Sequence, residues 1–570
     1  MTYELQSVNL PTLTGNALRL FVKALETTWS GNMVAPGLLK QAGFETLRRY
    51  SAHAAPQFLP LVEFQPKSRR SSAKWALEKL VAKPLKQSNS DFQPRTTHDY
   101  NMAYRTGMSS PTAVLDQMLN AIRRAESKPV KLNTVTQINE PAARKAAKDS
   151  QKRWSEGKPL SVVDGVPFTA KEEFDVEGYR TTVGTSFMGE SPATVTATCV
   201  QRLIDAGAIL VGKTNMHEIG IGVTGFNPHH GTPRNPYNLN HHTGGSSSGA
   251  GAAVAAGIGP FAIGADGGGS IRIPASLCGV AGLKPTFGRV SEFGAAPLCW
   301  SVAHIGPLGA TVDDVAIAYA LMAGVDPRDP NTAFQPEDIG GAYLNGSAKG
   351  FRVGIYKPFF EHATEDIVAK CYEGLNILKD AGAEIVEIDI PNLEEIRIAH
   401  MVTIASEMRS SMGNQLDRDP TVFGLDVRAN LALTQHFGPD DYVRSQRIRT
   451  EAIHALLDVF QKCDVIATPS TGITAPPIPA KAENSGISNL TELTEIMRYA
   501  PLANLTGIPG LSVPVGYDRD LLPIGLQLMG PWWQEHELLR LGRIVESKIT
   551  RIAPNTHYDP LGHAMDYQES

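Results

Sequence analysis

The residues with the clearest chemical potential lie in two segments rich in glycine and serine. These segments are Thr243-Gly-Gly-Ser-Ser-Ser-Gly249 and Ala265-Asp-Gly-Gly-Gly-Ser-Ile-Arg272. Three generic motifs compete for this part of the chain: a G-x-S-x-G nucleophile at Ser247, a G-x-G-x-x-G loop at residues 220–225, and a flexible tether at residues 244–249. The corresponding functions are acyl transfer by a serine, dinucleotide binding, and a passive linker.

None of the three motifs has the context that it requires. A G-x-S-x-G nucleophile follows a strand directly, whereas residues 233–242 have the composition of a loop. The candidate strand before residues 220–225 ends near Gly212, and the residues after Phe226 cannot open a helix. A tether is not followed by a closely packable apolar helix such as residues 250–257. The serines are therefore predicted to lie in an ordered loop at a helix N-terminus, where backbone N–H groups concentrate partial positive charge.

Four histidines could suggest a metal site. His229 and His230 are adjacent in sequence, as are His241 and His242. Adjacent side chains on a loop diverge, and no carboxylate completes a recognisable ligand spacing. We therefore expect no metal and no cofactor, and we favour structural or substrate-gorge roles for these histidines.

Charge and cysteine content exclude several classes of protein. The 570 residues carry 53 Lys and Arg against 58 Asp and Glu, a net charge of -5, which excludes a strongly basic nucleic-acid binder. The five cysteines are far apart and form no C-x-x-C pair, so neither a disulfide framework nor a zinc module is predicted. A reducing compartment is the default expectation.

The sequence also contains no obvious export or membrane-spanning signal. Its first residues lack the basic and apolar regions of a secretory signal peptide. The uncharged stretch at residues 249–265 is mostly glycine and alanine, contains Pro260, and is shorter than the roughly 20 apolar residues that span a bilayer. We expect a cytoplasmic protein with no transmembrane segment.

The elements that must position these residues alternate along the chain. Helical patterns occur at residues 194–206 and 365–381, the latter after Thr364 as a candidate cap, and a helix start is predicted at Ser110-Pro111. Short apolar runs predict strands at residues 208–211, 351–355, 464–467 and 510–514. This alternation predicts an α/β fold whose large, mixed and mostly parallel central sheet is covered by helices on both faces. Residues 101–570 are predicted to form one large domain.

Residues 1–100 are predicted to form a helical N-terminal extension. Apolar residues recur at helical spacing from Leu18 to Trp29, after Thr14 as a candidate N-cap. Residues 67–86 carry seven basic residues and one acid, with Trp75 among them. Such a segment is compatible with peripheral contact to an anionic membrane, but a solvated helix face packed on the main body is the favoured interpretation.

Five further segments share features with the two Gly/Ser segments. They are Val163-Asp-Gly-Val-Pro-Phe-Thr-Ala-Lys171, Leu210-Val-Gly-Lys-Thr-Asn-Met-His-Glu218, Cys278-Gly-Val-Ala-Gly-Leu-Lys284, Asn504-Leu-Thr-Gly-Ile-Pro-Gly-Leu-Ser-Val-Pro-Val-Gly516 and Gly525-Leu-Gln-Leu-Met-Gly-Pro531. Together, these segments resemble the amidase signature family, in particular its plant-type fatty acid amide hydrolases. The likeness spans about residues 100–550, and the N-terminal extension distinguishes this type from the short amidases of the family.

The resemblance implies a catalytic triad of Lys171 as base, Ser246 as bridging serine after a cis peptide bond, and Ser270 as nucleophile. Lysine is protonated near neutral pH, so Lys171 must be desolvated to accept a proton. Its apolar neighbours fit that requirement, although Glu172 and Glu173 could instead hold it charged in an ordinary surface pair.

The resemblance also implies an oxyanion hole and supporting residues. Backbone N–H groups of Gly267, Gly268, Gly269 and Ser270 can converge because glycine carries no side chain. Hydrogen bonds from Ser247, Asp266 and Arg272 are expected to orient the loop, and a purely structural capping role for them stays open. Ala265 stands where the family usually has Thr or Ser. The residues expected to line an apolar acyl channel, which could equally belong to the core, are Met216, Ile219, Ile221, Val223 and Phe226.

The function that the resemblance implies is hydrolysis of long-chain fatty acid amides such as N-acylethanolamines through an acyl-enzyme. Three alternatives stay open: a hydrolase of small amides such as indole-3-acetamide, a glutaminase subunit of an amidotransferase, and a non-catalytic binding module. The expected partner is a small acyl amide substrate, with no nucleic acid. A homodimer is compatible with the sequence, which does not reveal the oligomeric state.

Overall fold

The computed structural model describes most of the chain. The described residues are 3–5, 7, 11–64, 75–83, 92–337, 340, 343–482 and 486–562. Residues 67–74 and 84–86 of the basic segment lie outside them, so the structure bears on that segment only at residues 75–83.

An 11-stranded sheet forms the centre of the described structure, in the order β11-β10-β12-β15-β14-β8-β9-β7-β3-β4-β2. Two short pairs, β1 with β13 and β5 with β6, lie outside it. The strands are β1 (Leu13–Thr14), β2 (Val135–Gln137), β3 (Pro167–Lys171), β4 (Ile209–Thr214), β5 (Arg234–Asn235), β6 (Asn238–His242), β7 (Phe261–Ala265), β8 (Ala281–Lys284), β9 (Ile305–Gly309), β10 (Arg352–Ile355), β11 (Glu384–Glu387), β12 (Val465–Pro469), β13 (Ile487–Ser488), β14 (Gly510–Tyr517) and β15 (Pro523–Met529).

Helices cover both faces of this sheet. Within the described residues the α-helices are α1 (Gly15–Glu26), α2 (Thr28–Gln41), α3 (Phe44–Arg49), α4 (Leu77–Ala82), α5 (Thr97–Thr106), α6 (Pro111–Ser127), α7 (Glu140–Ser155), α8 (Thr198–Asp205), α9 (Ser248–Ala255), α10 (Arg272–Leu277), α11 (Val312–Met322), α12 (Lys357–Phe360), α13 (Glu365–Asp380), α14 (Leu393–Arg418), α15 (Leu425–Leu433), α16 (Pro439–Lys462), α17 (Leu490–Met497), α18 (Pro501–Thr506) and α19 (Glu535–Glu546). Short 3₁₀ turns occur at Glu218–Gly220, Pro330–Thr332, Pro420–Val422 and Thr434–His436.

The strand side chains alternate between the two faces of the sheet and pack into a hydrophobic core on each face. On one face, strand residues such as Phe168, Val353 and Leu511 pack with the apolar sides of α8, α11, α13 and α19. On the other face, Ile466 and Met529 pack with α14, α16 and α18. Successive strand residues point to opposite faces, so a strand that is buried on both faces consists mainly of apolar residues. The strands β3, β4 and β7 are of this kind.

The prediction of an α/β fold with a mixed sheet and helices on both faces is confirmed, but the sheet is not mostly parallel. Four neighbouring pairs are parallel, and six are antiparallel. The run β15-β14-β8-β9-β7 is antiparallel throughout. Apolar runs identify buried strands but do not encode the direction of their neighbours.

Most predicted elements occur within a few residues of their expected limits. Ser110 caps α6 by accepting a hydrogen bond from the Ala113 N–H at 3.3 Å. Thr14 and Thr364 occupy N-cap positions but make no side-chain cap bond. The helix predicted from residue 194 begins only at Thr198. Residues 233–242, predicted as a loop, contain the β5–β6 hairpin, whose residues lack the apolar alternation that marks a strand.

The N-terminal helices pack on the rest of the chain. Leu18, Val22 and Leu25 of α1 are buried against α15, and α3 contacts α14 and α16. Trp29, predicted on the buried stripe, is instead 75% exposed, because α1 ends before it. In the described part of the basic segment, the Trp75 ring contacts Tyr319 and Tyr343 and therefore faces the protein body.

No helix among the described residues combines the length and apolar character needed to cross a membrane. The uncharged stretch at residues 249–265 instead forms part of α9 and all of β7, both of which are buried. The five cysteines are buried and free.

Candidate functional site

Two parallel neighbouring strands bring the candidate base and the second Gly/Ser segment to one edge of the sheet. Lys171 is the last residue of β3, and Ala265 is the last residue of β7. The two strands pair in parallel, with Ala170 opposite Ile263. Since the carboxyl ends of parallel strands meet at the same edge, Lys171 lies beside the loop that carries Asp266 and Ser270.

Ser246 reaches this edge from the loop that precedes α9. Its backbone carbonyl accepts a hydrogen bond from the His217 N–H at 3.1 Å, and the Gly245–Ser246 peptide bond is cis. A side chain at position 245 would lie 2.8 Å from the backbone nitrogen of Gly225, so only glycine fits there. The prediction of an ordered loop at a helix N-terminus is confirmed.

The structure brings Lys171, Ser246 and Ser270 to the wall of one cavity. The Nζ of Lys171 donates a hydrogen bond to the Oγ of Ser246 at 2.9 Å, and all three side chains are at least 95% buried. The Oγ of Ser270 makes no hydrogen bond to another described residue and faces the cavity. The contact between Lys171 and Ser246, the expected base and bridging serine, is thus formed, whereas the contact from Ser246 to Ser270 is not formed in this structure. Catalytic hydrogen bonds of this kind often tighten only when substrate binds.

Glu173 is a direct partner of Lys171. Its Oε2 lies 2.6 Å from the lysine Nζ, and the pair is buried rather than on the surface. Glu172 lies elsewhere: its carboxylate accepts hydrogen bonds from Thr182 and Gln137 and lies 3.7 Å from the Nζ of Lys213. The two carboxylates lie in a turn that follows β3, closed by a hydrogen bond from the Phe174 N–H to the Lys171 carbonyl at 3.1 Å, and this turn directs them to different partners.

Three of the four backbone N–H groups expected to form the oxyanion hole are available to a substrate, as far as the described residues show. The Gly269 N–H donates to the Oδ1 of Asp266 at 2.6 Å and is therefore engaged. The N–H groups of Gly267, Gly268 and Ser270 donate to no other group in the described part of the chain. Gly269 has a φ of 104°, and a side chain at Gly268 would lie 3.0 Å from His400, so the loop can adopt this path only with glycine.

A buried ion pair holds the two ends of this loop. Asp266 and Arg272 make two side-chain hydrogen bonds of 3.0 Å, and Asp266 also accepts the Ile271 N–H at 3.1 Å. Arg272 donates further to Gln527 on β15 and to Asn504 on α18, at 2.6 and 2.5 Å. Burial opposes the charge of Asp266, but Arg272, Lys284 and Asn504 outweigh it and hold the pKa of this carboxyl well below its usual range.

Ser247 supports the same loop from the opposite side. Its Oγ donates to the Ala265 carbonyl at 3.1 Å, and its N–H donates to the Ser270 carbonyl at 3.2 Å. Ser247 is fully buried and held by these bonds, which excludes it as an exposed nucleophile of the G-x-S-x-G type. The Ala265 carbonyl also accepts from the Lys171 Nζ at 3.4 Å, so the backbone supplies a polar contact where the methyl side chain cannot.

Sequence reasoning missed three residues that hold the loop. Asn504 and Gln527 lie in segments that carry the family likeness but were assigned no role, although a glutamine inside the apolar β15 was a usable signal. The Nε2 of His400 lies 2.7 Å from the Gly267 carbonyl, which can only accept, so Nε2 carries the proton. Burial lowers the pKa of His400 to about 4. No local pattern marks His400, because it lies within the long helix α14.

An apolar cavity extends from Ser270 toward the N-terminal helices. Gly268 and Ser270 lie in its wall, as do Leu38 and Leu39 of α2. Its other apolar residues include Met401, Ile404, Leu433, Phe437, Leu493 and Met497. The shape and composition suit an extended hydrocarbon chain.

Two of the five residues predicted to line an acyl channel lie in this wall, Ile221 and Val223. Met216 and Ile219 are instead fully buried in a core cluster behind it, and Phe226 is buried outside the wall. Ile219 has a φ of 47° within the turn at Glu218–Gly220, a local conformation that closeness in sequence to the Gly/Ser segments does not reveal.

A second cavity meets the first one at Ser270; we call it the polar cavity because charged residues lie in its wall, beside apolar residues such as Phe293, Leu298 and Met408. Lys171, Glu173 and Glu292 lie in its wall, and the partly exposed Trp300 also contributes. Burial, together with the charges of Asp329 and Glu173, raises the pKa of Glu292 well above its usual value. The Ser270 hydroxyl therefore lies between an apolar space and a polar space.

The four histidines do not gather around a common point. His229 pairs with Glu218 at 2.8 Å, and His230 lies 3.0 Å from the Thr185 carbonyl. Burial lowers the pKa of His242 to about 3, so it is neutral. Among the described residues, no group of three or more His, Cys, Asp or Glu side chains is arranged to hold a metal ion.

Comparison with known proteins identifies relatives of this chain. Residues 116–539 match the family model described as Amidase. A fatty acid amide hydrolase of Medicago truncatula is 38% identical, over 98% of this chain and 96% of the relative. A glutamyl-tRNA(Gln) amidotransferase subunit of Halorhodospira halophila is 33% identical, over 79% of this chain and 96% of the relative.

A solved structure supports the same relationship. It is a chain from a vestigial protein complex described in connection with the origin of an s-triazine catabolic enzyme. The two chains superpose with a TM-score of 0.75 at 32% identity, over 80% of this chain and 99% of the other.

The Asp266–Arg272 pair can be tested by Asp266→Asn. The substitution removes the charge that Arg272 balances inside the protein, and breaking a buried pair in this way costs about 3 to 5 kcal/mol. We expect a clearly lower melting temperature by calorimetry. Asp149→Asn, which removes an exposed carboxylate paired with Lys145 on α7, is the matched control and should leave the melting temperature unchanged. Equal melting temperatures for both variants would contradict the role given to the pair.

Proposed function

This chain belongs to the amidase signature family and is a hydrolase of amide carbon–nitrogen bonds, and we propose that its substrates are long-chain fatty acid amides such as N-acylethanolamines. The observation that carries the proposal is the position of the Ser270 hydroxyl between an apolar and a polar cavity. An acyl chain fits the apolar side, and the amine fits the polar side.

The proposed reaction is acyl transfer to Ser270. Lys171, as the neutral amine, accepts a proton from Ser246, which takes one from Ser270 as its oxygen attacks the amide carbon. The N–H groups of Gly267, Gly268 and Ser270 are the candidate donors to the resulting oxyanion.

The second half of the reaction releases both products. The proton returns from Lys171 through Ser246 to the amide nitrogen, the carbon–nitrogen bond breaks, and the amine leaves. Water then attacks the acyl-serine, and one proton from that water restores the Ser270 hydroxyl as the fatty acid departs. Every proton borrowed by Lys171 is returned, so the proposed cycle needs no cofactor.

The extent of the likeness favours fatty amides over the glutaminase alternative. The match to the fatty acid amide hydrolase spans 98% of this chain, whereas the match to the amidotransferase subunit spans 79%. The wall of the apolar cavity includes Leu38 and Leu39 of α2, which lie outside the matched family region that begins at residue 116.

We further propose that the helical hairpin of α1 and α2 contacts a lipid surface. Leu20, Trp29 and Met33 are large apolar residues that this hairpin exposes to solvent. The same hairpin contributes Leu38 and Leu39 to the wall of the apolar cavity. A substrate dissolved in a bilayer would then pass from the lipid to the cavity along one continuous apolar surface.

The proposed nucleophile and base are tested by single substitutions. Ser270→Ala is expected to abolish amide hydrolysis and labelling by a fluorophosphonate probe, because no hydroxyl remains to attack. Lys171→Ala is expected to lower hydrolysis sharply and to shift its pH profile, since the proton acceptor is lost. Wild-type rates in either variant would contradict the assignment, and a wild-type protein that binds the amide but resists the probe would favour the non-catalytic alternative.

Acyl-chain preference tests the substrate class. Amides with two, eight and sixteen acyl carbons should be hydrolysed with kcat/KM rising with chain length, because each added methylene buries more apolar surface. Leu433→Trp narrows the cavity where it meets the N-terminal helices and should lower kcat/KM about tenfold for the longest substrate only. Leu160→Trp, at an exposed leucine, is the control. Rates that fall with chain length would favour the small-amide alternative.

Membrane contact is tested by Trp29→Ser. Sedimentation with vesicles of phosphatidylcholine and phosphatidylserine should show that the full chain binds. Binding should weaken about tenfold in the variant, because serine lacks the apolar indole surface that the lipid would bury. Phe334→Ser removes a similarly exposed aromatic residue far along the sequence and should leave vesicle binding unchanged. Equal binding by the two variants would refute a specific role for the hairpin.

A further inference from the structure

Glu173 is the carboxylate that contacts the proposed base. Its Oε2 lies 2.6 Å from the Nζ of Lys171, and both side chains are more than 90% buried. The Lys171 Nζ also contacts the Oγ of Ser246 and the carbonyl of Ala265. These three acceptors match the three N–H bonds of an ammonium group, so the resting arrangement suits a charged lysine.

This arrangement conflicts with the protonation state that the proposed reaction requires. A neutral amine has a lone pair with which to accept a proton, whereas an ammonium has none. An opposite charge within about 4 Å stabilises the charged form of a titratable group. Glu173 therefore favours the form of Lys171 that cannot act as a base.

Other titratable groups lie around Lys171, among them Arg328 and Asp329, two residues of opposite charge in the wall of the same cavity. Burial raises the pKa of Glu292 and of the Cys299 thiol well above their usual values, and it also raises the pKa of Glu407. These groups are held toward their neutral forms. Glu172 is directed at Lys213 instead. Among the described residues, Glu173 is thus the carboxylate in direct contact with the Lys171 Nζ.

The polar cavity provides a route from Lys171 to solvent water. Lys171 and Glu173 both lie in the wall of this cavity, which also contains the partly exposed Trp300. The ammonium can therefore lose its proton to solvent water without passing through the apolar cavity. The step leaves a neutral amine on Lys171 and an unchanged carboxylate on Glu173, and no other bond changes.

We propose that Glu173 is a positioning residue that sets the pH range in which Lys171 serves as base. Its carboxylate contacts the Nζ that also donates to Ser246, and its negative charge stabilises the charged form of that amine. The inference rests on the proposed function, since it assumes that Lys171 activates Ser270.

The pH dependence of Ser270 labelling by a fluorophosphonate probe tests this role without knowledge of the natural substrate. In Glu173→Gln the ammonium loses its counter-charge, so the neutral amine forms at lower pH. We expect the midpoint of the acid limb to move down by about 1 to 3 pH units. Glu173→Asp draws the carboxylate back by one methylene and should move the midpoint in the same direction by less.

Two control variants separate this effect from general disturbance. Glu172→Gln removes the neighbouring buried carboxylate and should lower the melting temperature without moving the midpoint, because its contacts are with Lys213, Gln137 and Thr182. Glu292→Gln keeps the Glu173 charge and should also leave the midpoint in place.

The outcomes distinguish this inference from the proposed function. A wild-type chain whose Ser270 is not labelled overturns both. Labelling of Ser270 with an unmoved or raised midpoint in Glu173→Gln overturns the role of Glu173 alone, as does a shift in Glu292→Gln without one in Glu173→Gln. If Glu173→Gln does not fold, the direction of the shift in Glu173→Asp decides in the same way.

Discussion

The geometry of the proposed catalytic loop depends on the buried ion pair between Asp266 and Arg272. Buried charges are stable only when nearby hydrogen bonds satisfy them. Here the partners come from elsewhere in the fold, with Asn504 on α18 and Gln527 on β15. The packing of the sheet and its helices therefore fixes the loop, and with it the position of Ser270.

The two cavities assign different physical tasks to the two sides of Ser270. On the apolar side, binding is favoured because the hydrocarbon chain is removed from water, and no protons are exchanged there. The polar side, with Lys171 and Glu173 in its wall, can exchange protons with solvent. In the proposed reaction, the hydrophobic acyl group and the polar amine would lie on opposite sides of the bond to be broken, which suits fatty acid amides better than small, wholly polar amides.

Much of this arrangement could be predicted from sequence, and the exceptions have physical reasons. Local signals located α6, α9, α13 and the four strands β4, β10, β12 and β14, since glycine, proline and apolar periodicity act over a few residues. The antiparallel middle of the sheet was not predicted, because strand direction depends on distant connections. Ile219 was expected in the channel wall but is buried in the core, because its backbone adopts a left-handed turn.

The order of amino acids alone specifies which chemical groups are available: the lysine that ends β3, the two serines, and the glycines that leave backbone N–H groups uncovered. Folding then sets how these groups are charged and which of them meet. In the folded chain, Glu173 contacts Lys171, whereas Glu172 lies near Lys213. The Gly269 N–H donates to Asp266. Protonation and donor availability depend on the distance to charges and water, and those distances exist only once the chain has folded.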